Sequence, residues 1–231
     1  MMRLLLFDVD GTLIRSNGAG RAAMMAALAA LFGPVNAADG YRMDGKTDPR
    51  IVKDLLTAAG VEMERIESSL PLVYERMESE AHHCFPQHEI TPCNGTEPLL
   101  AALRQRKDAL LGLVTGNIAQ TAPLKLQAAG IDPNQFRVGA YGSDAEDRNQ
   151  LPLIAMRRAS ELTGLMFNGA NTVVIGDTPA DILCARASGA TAVAVATGWH
   201  SRSTLAQYHP DYLFANLTNT DDVLAAMFAQ K

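Results

Sequence analysis

Near its start the chain reads Arg3-Leu4-Leu5-Leu6-Phe7-Asp8-Val9-Asp10-Gly11-Thr12-Leu13, a short apolar run that stops abruptly at two acids separated by one residue. A run this short and this apolar has the length of a strand buried on both faces, as in the interior of a parallel sheet. Open α/β sheets bind their ligands at the carboxyl ends of the strands. Asp8 and Asp10 are therefore expected at the lip of a crevice, carried there by a rigid element. Two carboxylates so close repel each other unless positive charge lies between them, and an oxygen-seeking cation such as Mg²⁺ meets that need. An Asp-Gly turn closing an ordinary strand would look the same locally; the rest of the chain decides.

At 231 residues the chain is long for one compact core, so it calls for one domain with a large insertion, or for two domains. Hydrophobic residues make up 48% of it, enough for a proper core and too many for disorder. A formal net charge of −5 and the absence of any Lys/Arg block argue against a nucleic-acid or membrane-surface partner. No apolar run approaches a bilayer span, and the N-terminal leucines meet Asp8 too soon to form a signal-peptide core. The expectation is a soluble cytoplasmic protein. Cys84, Cys93 and Cys184 are odd in number and form no CxxC pair, which suits a reducing compartment. His82, His83 and His88 lie near two of them, but the spacing matches no standard zinc site, and they read as helix-end and loop residues.

Behind Thr12 the pattern turns helical. Residues 20–31 are rich in Ala, Met and Leu and stop at Gly33-Pro34; Asp48-Pro49 opens a helix over 50–59 that Gly60 ends. Residues 62–85 form one or two helices, interrupted or restarted near Pro71. With no strand between about 16 and 90, this is an all-helical block inserted behind the first strand. From Thr91 onward helices (96–107, 118–129, 151–163, 179–188, 221–229) alternate with strands (109–115, 136–141, 171–176, 191–196, 211–214). That rhythm predicts an α/β fold with a doubly wound, Rossmann-like parallel sheet. The domains are then a core of residues 1–15 and 91–231 and a helical insertion of residues 16–90.

Three of the strands end in one chemical theme. The first ends at Asp8 and Asp10, the second at Thr115-Gly116-Asn117, and the third at Gly176-Asp177-Thr178-Pro179-Ala180-Asp181, with Asp147-Arg148-Asn149 at the start of a helix between the last two. A parallel sheet brings them all to one edge. Clustered carboxylates suit a hard metal, amides and a hydroxyl at a helix N-terminus suit phosphate oxygens, and arginine pairs with either anion. Phosphoryl transfer needs little more than such positioning and charge neutralisation.

In these motifs the chain resembles the haloacid dehalogenase superfamily, in its phosphoglycolate-phosphatase-like subgroup with a helical cap after the first motif. The resemblance spans essentially the full length: Asp8-Val9-Asp10-Gly11-Thr12 corresponds to motif one, Thr115-Gly116-Asn117 to motif two and Gly176 to Asp181 to motif four. It implies a phosphatase in which Asp8 is the nucleophile that forms an aspartyl-phosphate and Asp10 is the general acid and base. Mg²⁺ would be held by Asp8, the backbone carbonyl of Asp10 and Asp177, with Asp181 a further ligand or a holder of metal waters. Thr115, Gly116 and Asn117 would bind the phosphate. Family members that cleave carbon–halogen bonds lack an acid at the position of Asp10, so its presence favours phosphate chemistry.

Motif three departs from the family's usual lysine. Arg148 stands at the expected distance before the last catalytic strand and is the preferred cation; Lys125 is the rival, placed well inside a helix where its stem can instead snorkel over a surface. Within the insertion, Gly45-Lys46-Thr47-Asp48 and Arg50 form a glycine-loosened loop whose Lys46 could reach a second anionic group of the substrate, with Arg21 and Arg42 as further cations; the same stretch also fits a plain helix N-cap with surface charges. Met24 and Met25 read as packing of the insertion. The expected partner is a small phosphorylated metabolite, bound by a monomer or homodimer, with neither nucleic acid nor membrane. A phosphoglucomutase-like phosphotransferase and a non-catalytic binding protein of the same fold are the alternatives.

Overall fold

The computed structural model describes residues 2–35 and 40–229; Met1, residues 36–39 of the helical insertion and residues 230–231 of the core lie outside the described residues. The first strand, β1 (Arg3–Phe7), is followed by a two-residue strand β2 (Ile14–Arg15) and then by helices α1 (Ala19–Phe32), α2 (Asp48–Ala58) and α3 (Met63–Cys84). The chain returns through β3 (Thr91–Pro92), which pairs antiparallel with β2. Exit and return thus run side by side as a two-stranded ribbon. Beyond it come α4 (Thr96–Arg104), β4 (Ala109–Thr115), α5 (Thr121–Ala128), β5 (Val138–Tyr141), α6 (Leu151–Thr163) and β6 (Thr172–Gly176). The chain closes with α7 (Pro179–Ala187), β7 (Thr191–Val195), α8 (Arg202–Ala206), β8 (Tyr212–Phe214) and α9 (Thr220–Phe228).

Six strands form one sheet in the order β5-β4-β1-β6-β7-β8, and every pairing is parallel. β1 is central, with Phe7 opposite Leu113 of β4 on one side and Ile175 of β6 on the other. Its side chains alternate between two cores, as a strand's period of two requires. Leu5 and Phe7 join Leu113, Ile175 and Val193 beneath α4 and α9; Leu4 and Leu6 join Val114, Val174 and Ala192 beneath α6 and α7. Helices cover both faces, so the sheet is doubly wound, as its near-continuous apolar strands predict.

The inserted helices build a third core of their own, with Met24 and Leu28 of α1, Ile51 and Leu55 of α2, and Ile66, Val73 and Met77 of α3. Here the structure departs from expectation in two places. Residues 63–84 form one helix, with Pro71 inside it. Pro71 removes one backbone bond, but it lies on the exposed face, and buried residues before and after it (Ile66, Val73, Met77) hold both halves in one core. Helix α5 begins only at Thr121, because Ile118 is drawn away from it: its side chain is buried in the insertion's core and its amide donates to Asp48 Oδ2 at 2.9 Å. Asp48 accordingly sits inside the first turn of α2, and Thr47 takes the N-cap position. Among the described residues no helix is long and apolar enough to cross a membrane.

Candidate active site

Because β4, β1 and β6 are adjacent, Thr115, Asp8 and Asp177 emerge side by side at the sheet's carboxyl edge. Strand order also reverses around β1, the place where such sheets open a crevice. Carboxylate oxygens of Asp8, Asp177 and Asp181 lie within 4.8 Å of one another, all in buried residues. One guanidinium nitrogen braces two of them: Arg148 Nη2 is 3.2 Å from Asp8 Oδ1 and 2.5 Å from Asp181 Oδ1. Arg148 is itself buried, in a single 3₁₀ turn at the head of α6, and its Nε has no partner among the described residues. Burial pushes Asp8 up to about 7 against the pull of Arg148, with Asp181 and Asp10 adding repulsion. Burial likewise raises Asp177 well above the carboxylate range, reinforced by Asp8 and Asp181. Three carboxylates share one guanidinium here, so the cluster is short of positive charge.

Asp177 is shaped into place by its neighbours. Thr12 donates to its Oδ1 at 3.1 Å, while its Oδ2 occupies room that a Cβ on Gly11 or on Gly198 would fill. Gly11 holds φ 84°, a conformation that only glycine adopts freely. Asp181 spends both oxygens on protein donors: Arg148 takes Oδ1, and the amide and hydroxyl of Thr178 take Oδ2 at 3.0 and 2.7 Å. Thr178 is not among the candidate site residues, although the Thr-x-x-Asp spacing at the start of a helix is a capping-box signal.

Asp10 faces a different cation. Lys125 Nζ lies 2.7 Å from Asp10 Oδ2 and 2.5 Å from Asn117 Oδ1. Asn117 Nδ2 donates to the same Asp10 oxygen at 2.7 Å and to Thr115 Oγ1 at 2.8 Å. Burial works to raise Asp10, yet Lys125, Ser16 and Asn117 together hold it below its ordinary range. Lys125 is not a surface-lying stem but a buried side chain, 5% exposed, because it turns from α5 toward Asp10 and Asn117. Both rival cations enter the site, each opposite a different acid.

The loop before α2 closes over these residues. Thr47 Oγ1 donates to the carbonyl of Glu146 at 2.8 Å and the Asp48 amide to that of Gly116 at 2.7 Å, while the Lys46 carbonyl packs where a Cβ on Gly116 would lie. Burial raises Asp48 to about 6, against the pull of Lys125 and of the Ile118 amide. On the sheet side, His200 Nε2 meets Asp44 Oδ2 at 2.9 Å. A cavity of about 1140 Å³ remains between insertion and sheet, reaching from Asp8 to Met24, Met77 and Phe85, with Arg42, Lys46 and Trp199 on its border. Lys46 turns its ammonium to Tyr41 Oη at 2.6 Å and Asp54 Oδ2 at 3.3 Å, stacked over the Tyr41 ring. Met24 packs in the insertion's core and also borders the cavity. His83 and His88 bond backbone carbonyls, and the Asp8–Asp177–Asp181 group is the metal-competent cluster found among the described residues.

Comparison with known proteins adds three findings. The family model described as haloacid dehalogenase-like hydrolase matches residues 5–195. A phosphoglycolate phosphatase of Synechococcus elongatus is 30% identical over 230 residues, covering 98% of this chain and 97% of that protein. Among solved structures, a hydrolase from Pseudomonas syringae superposes with a TM-score of 0.72 at 22% identity, over 99% of this chain and 100% of that one. A haloacid dehalogenase-like family hydrolase from Streptococcus pneumoniae gives a TM-score of 0.62 at 20% identity, over 97% of each chain. At such identities the likeness to the two structures concerns the fold.

Proposed function

This chain belongs to the haloacid dehalogenase-like hydrolases, and from that membership we propose that it is a Mg²⁺-dependent phosphatase hydrolysing a small phosphomonoester through an aspartyl-phosphate on Asp8. The observation that carries the reading is the meeting of Asp8, Asp177 and Asp181 around one arginine, beside Asp10 and the Thr115 loop on a single cavity. The relative from Synechococcus elongatus, named a phosphoglycolate phosphatase, supports the same class of reaction.

The donor set fits a hard divalent cation: the oxygens are carboxylates, they outnumber the positive charge beside them, and the room around Asp177 exists only because residues 11 and 198 are glycine. Asp8, the Asp10 carbonyl and Asp177 would hold the ion, and Asp181, with both oxygens engaged by protein donors, would order its waters. Bound there, the ion supplies shielding between an anionic nucleophile and an anionic phosphate.

The chain's own residues do the rest. An Asp8 oxygen forms the bond to phosphorus while Asp10, which must first take up a proton against the pull of Lys125, gives that proton to the departing oxygen. Asp10 then takes a proton from water as that water attacks the acyl-phosphate, returning Asp8 as a carboxylate and releasing inorganic phosphate. Thr115 Oγ1 accepts from Asn117, which leaves its own proton for a phosphate oxygen. Residues 16–90 act as a cap that excludes water and reads the leaving group.

Phosphate release from p-nitrophenyl phosphate tests this reading. Chelation followed by dialysis is expected to reduce turnover at least about a hundredfold, and added Mg²⁺ to restore it; undiminished turnover in metal-free protein would overturn it. Lys46→Ala, which removes an ammonium from the cavity border and frees its partners Tyr41 and Asp54, is expected to raise KM about tenfold for phosphomonoesters carrying a second anion. Neutral esters should stay within about twofold, and an unchanged substrate ranking would remove Lys46 from the recognition role.

A further inference from the structure

A buried ammonium is costly unless it is paired, and the site described above gives Lys125 no chemical task. Its partners are nonetheless well defined: Asp10 Oδ2 at 2.7 Å and Asn117 Oδ1 at 2.5 Å. The room for it comes from a distant part of the chain. Gly20 lies in the first turn of α1, and a Cβ built on it would fall 2.6 Å from Lys125 Nζ and 2.9 Å from its Cε. Glycine inside a helix is less favourable than alanine, so this glycine needs a reason, and the lysine tip supplies it.

The consequence falls on Asp10. Its Oδ2 receives both Lys125 and Asn117, whereas its Oδ1 is buried and has no partner among the described residues. Asn117 cannot turn over to compensate, because its own oxygen is held by Lys125 and its nitrogen by Asp10 and Thr115. The carboxylate is thus anchored through Oδ2, in a residue that lines the cavity.

We propose that Lys125, admitted by Gly20, is a positioning residue for the acid–base step: it pins Oδ2 of Asp10 and so sets the orientation in which that carboxyl meets the leaving group and the attacking water. This rests on the phosphatase reading. In the first half-reaction an Asp8 oxygen bonds to phosphorus, the O–H bond of the Asp10 carboxyl breaks, and its proton goes to the leaving oxygen as that oxygen's bond to phosphorus breaks. In the second, the Asp10 carboxylate takes a proton from water as the water oxygen bonds to phosphorus and the bond between phosphorus and Asp8 breaks.

Leaving-group dependence tests this. p-Nitrophenolate departs without a proton, whereas an alkoxide needs one, so assistance by Asp10 shows in kcat/KM for an alkyl phosphate such as glycerol phosphate. Gly20→Ala keeps every charged group and suits a helix, and its methyl displaces only the flexible end of Lys125. Gly20→Ala and Lys125→Met are each expected to lower kcat/KM about tenfold or more for glycerol phosphate and less than about threefold for p-nitrophenyl phosphate. The double variant should be no worse than Lys125→Met, since both remove one contact. Equal losses on the two substrates, an additive double variant, or a Gly20→Ala protein with the wild-type ratio would overturn the assignment. Asp10→Asn separates the two levels. If it leaves glycerol phosphate turnover intact, the phosphatase reading falls; if it abolishes turnover while Gly20→Ala keeps the wild-type ratio, only the role of Lys125 falls.

Discussion

Asp8→Asn is expected to lower phosphate release by about 10⁴-fold or more with no loss of fold, since an amide oxygen cannot take the place of the attacking carboxylate. The site makes the two halves of that expectation separable. Asp8 is buried at the end of the central strand, with its amide bonded to the Ile175 carbonyl at 2.9 Å, and that backbone anchor survives the substitution. Its side chain lies against Arg148 on one side and against the like charges of Asp181 and Asp10 on the other. Asparagine has nearly the same volume and removes one of the mutually repelling charges, so the metal-free variant should unfold at the same temperature as wild type or higher. Thermal unfolding followed by circular dichroism, run beside the phosphate assay, reads both quantities. A folded variant that is still fully active would remove Asp8 from the nucleophile's role, and one that unfolds well below wild type would overturn the stability half of the expectation.

Arg148→Ala has the second large effect, of the opposite character: it should damage stability as well as turnover. Removing one member of a buried ion pair costs about 3–5 kcal/mol, because the partner's charge stays behind without compensation. Here two partners stay behind, Asp8 and Asp181, with Asp177 beside them. Turnover should fall about 10²–10³-fold, the usual consequence of losing one preorganised charge partner at a reacting centre. Because a single nitrogen, Nη2, makes both contacts, an ammonium can take its place: Arg148→Lys is expected to recover most of the stability and to stay within about tenfold of wild-type turnover. Denaturant midpoints with and without Mg²⁺, together with kcat, check this. An alanine variant as stable as wild type would show that the three carboxylates do not depend on this cation.

The alternation of strands and helices was legible in the sequence because it rests on local patterns. Residues 109–115 and 151–163 match β4 and α6 end to end, each bounded by signals within the segment itself. Where local pattern met a long-range partner, it failed. Ile118 continues a helical pattern, yet the insertion's core takes its side chain and Asp48 takes its amide. Pro71 marks a break in the sequence and is absorbed into α3, because the apolar residues on either side of it share one core. The two-residue strands β2 and β3 carry no strand signal of their own and exist only as each other's partner.

For the site, the acids at the strand ends could be read in advance, since a buried apolar run that stops at a carboxylate must deliver it to the sheet's edge. The pairing of cations with those acids could not. Arg148 and Lys125 look like rivals along the chain, and in space they divide the work, one against Asp8 and Asp181 and the other against Asp10. Which acid each meets depends on how α5 and α6 pack on the sheet and on a glycine in α1, a helix remote in sequence from both. The sheet, the inserted helices and the row of acids follow from the order of residues, because hydrophobic period and strand termini are local properties. The charge pairing arises in the packed fold, because an electrostatic partner is chosen by distance and burial, which the order of residues along the chain does not contain.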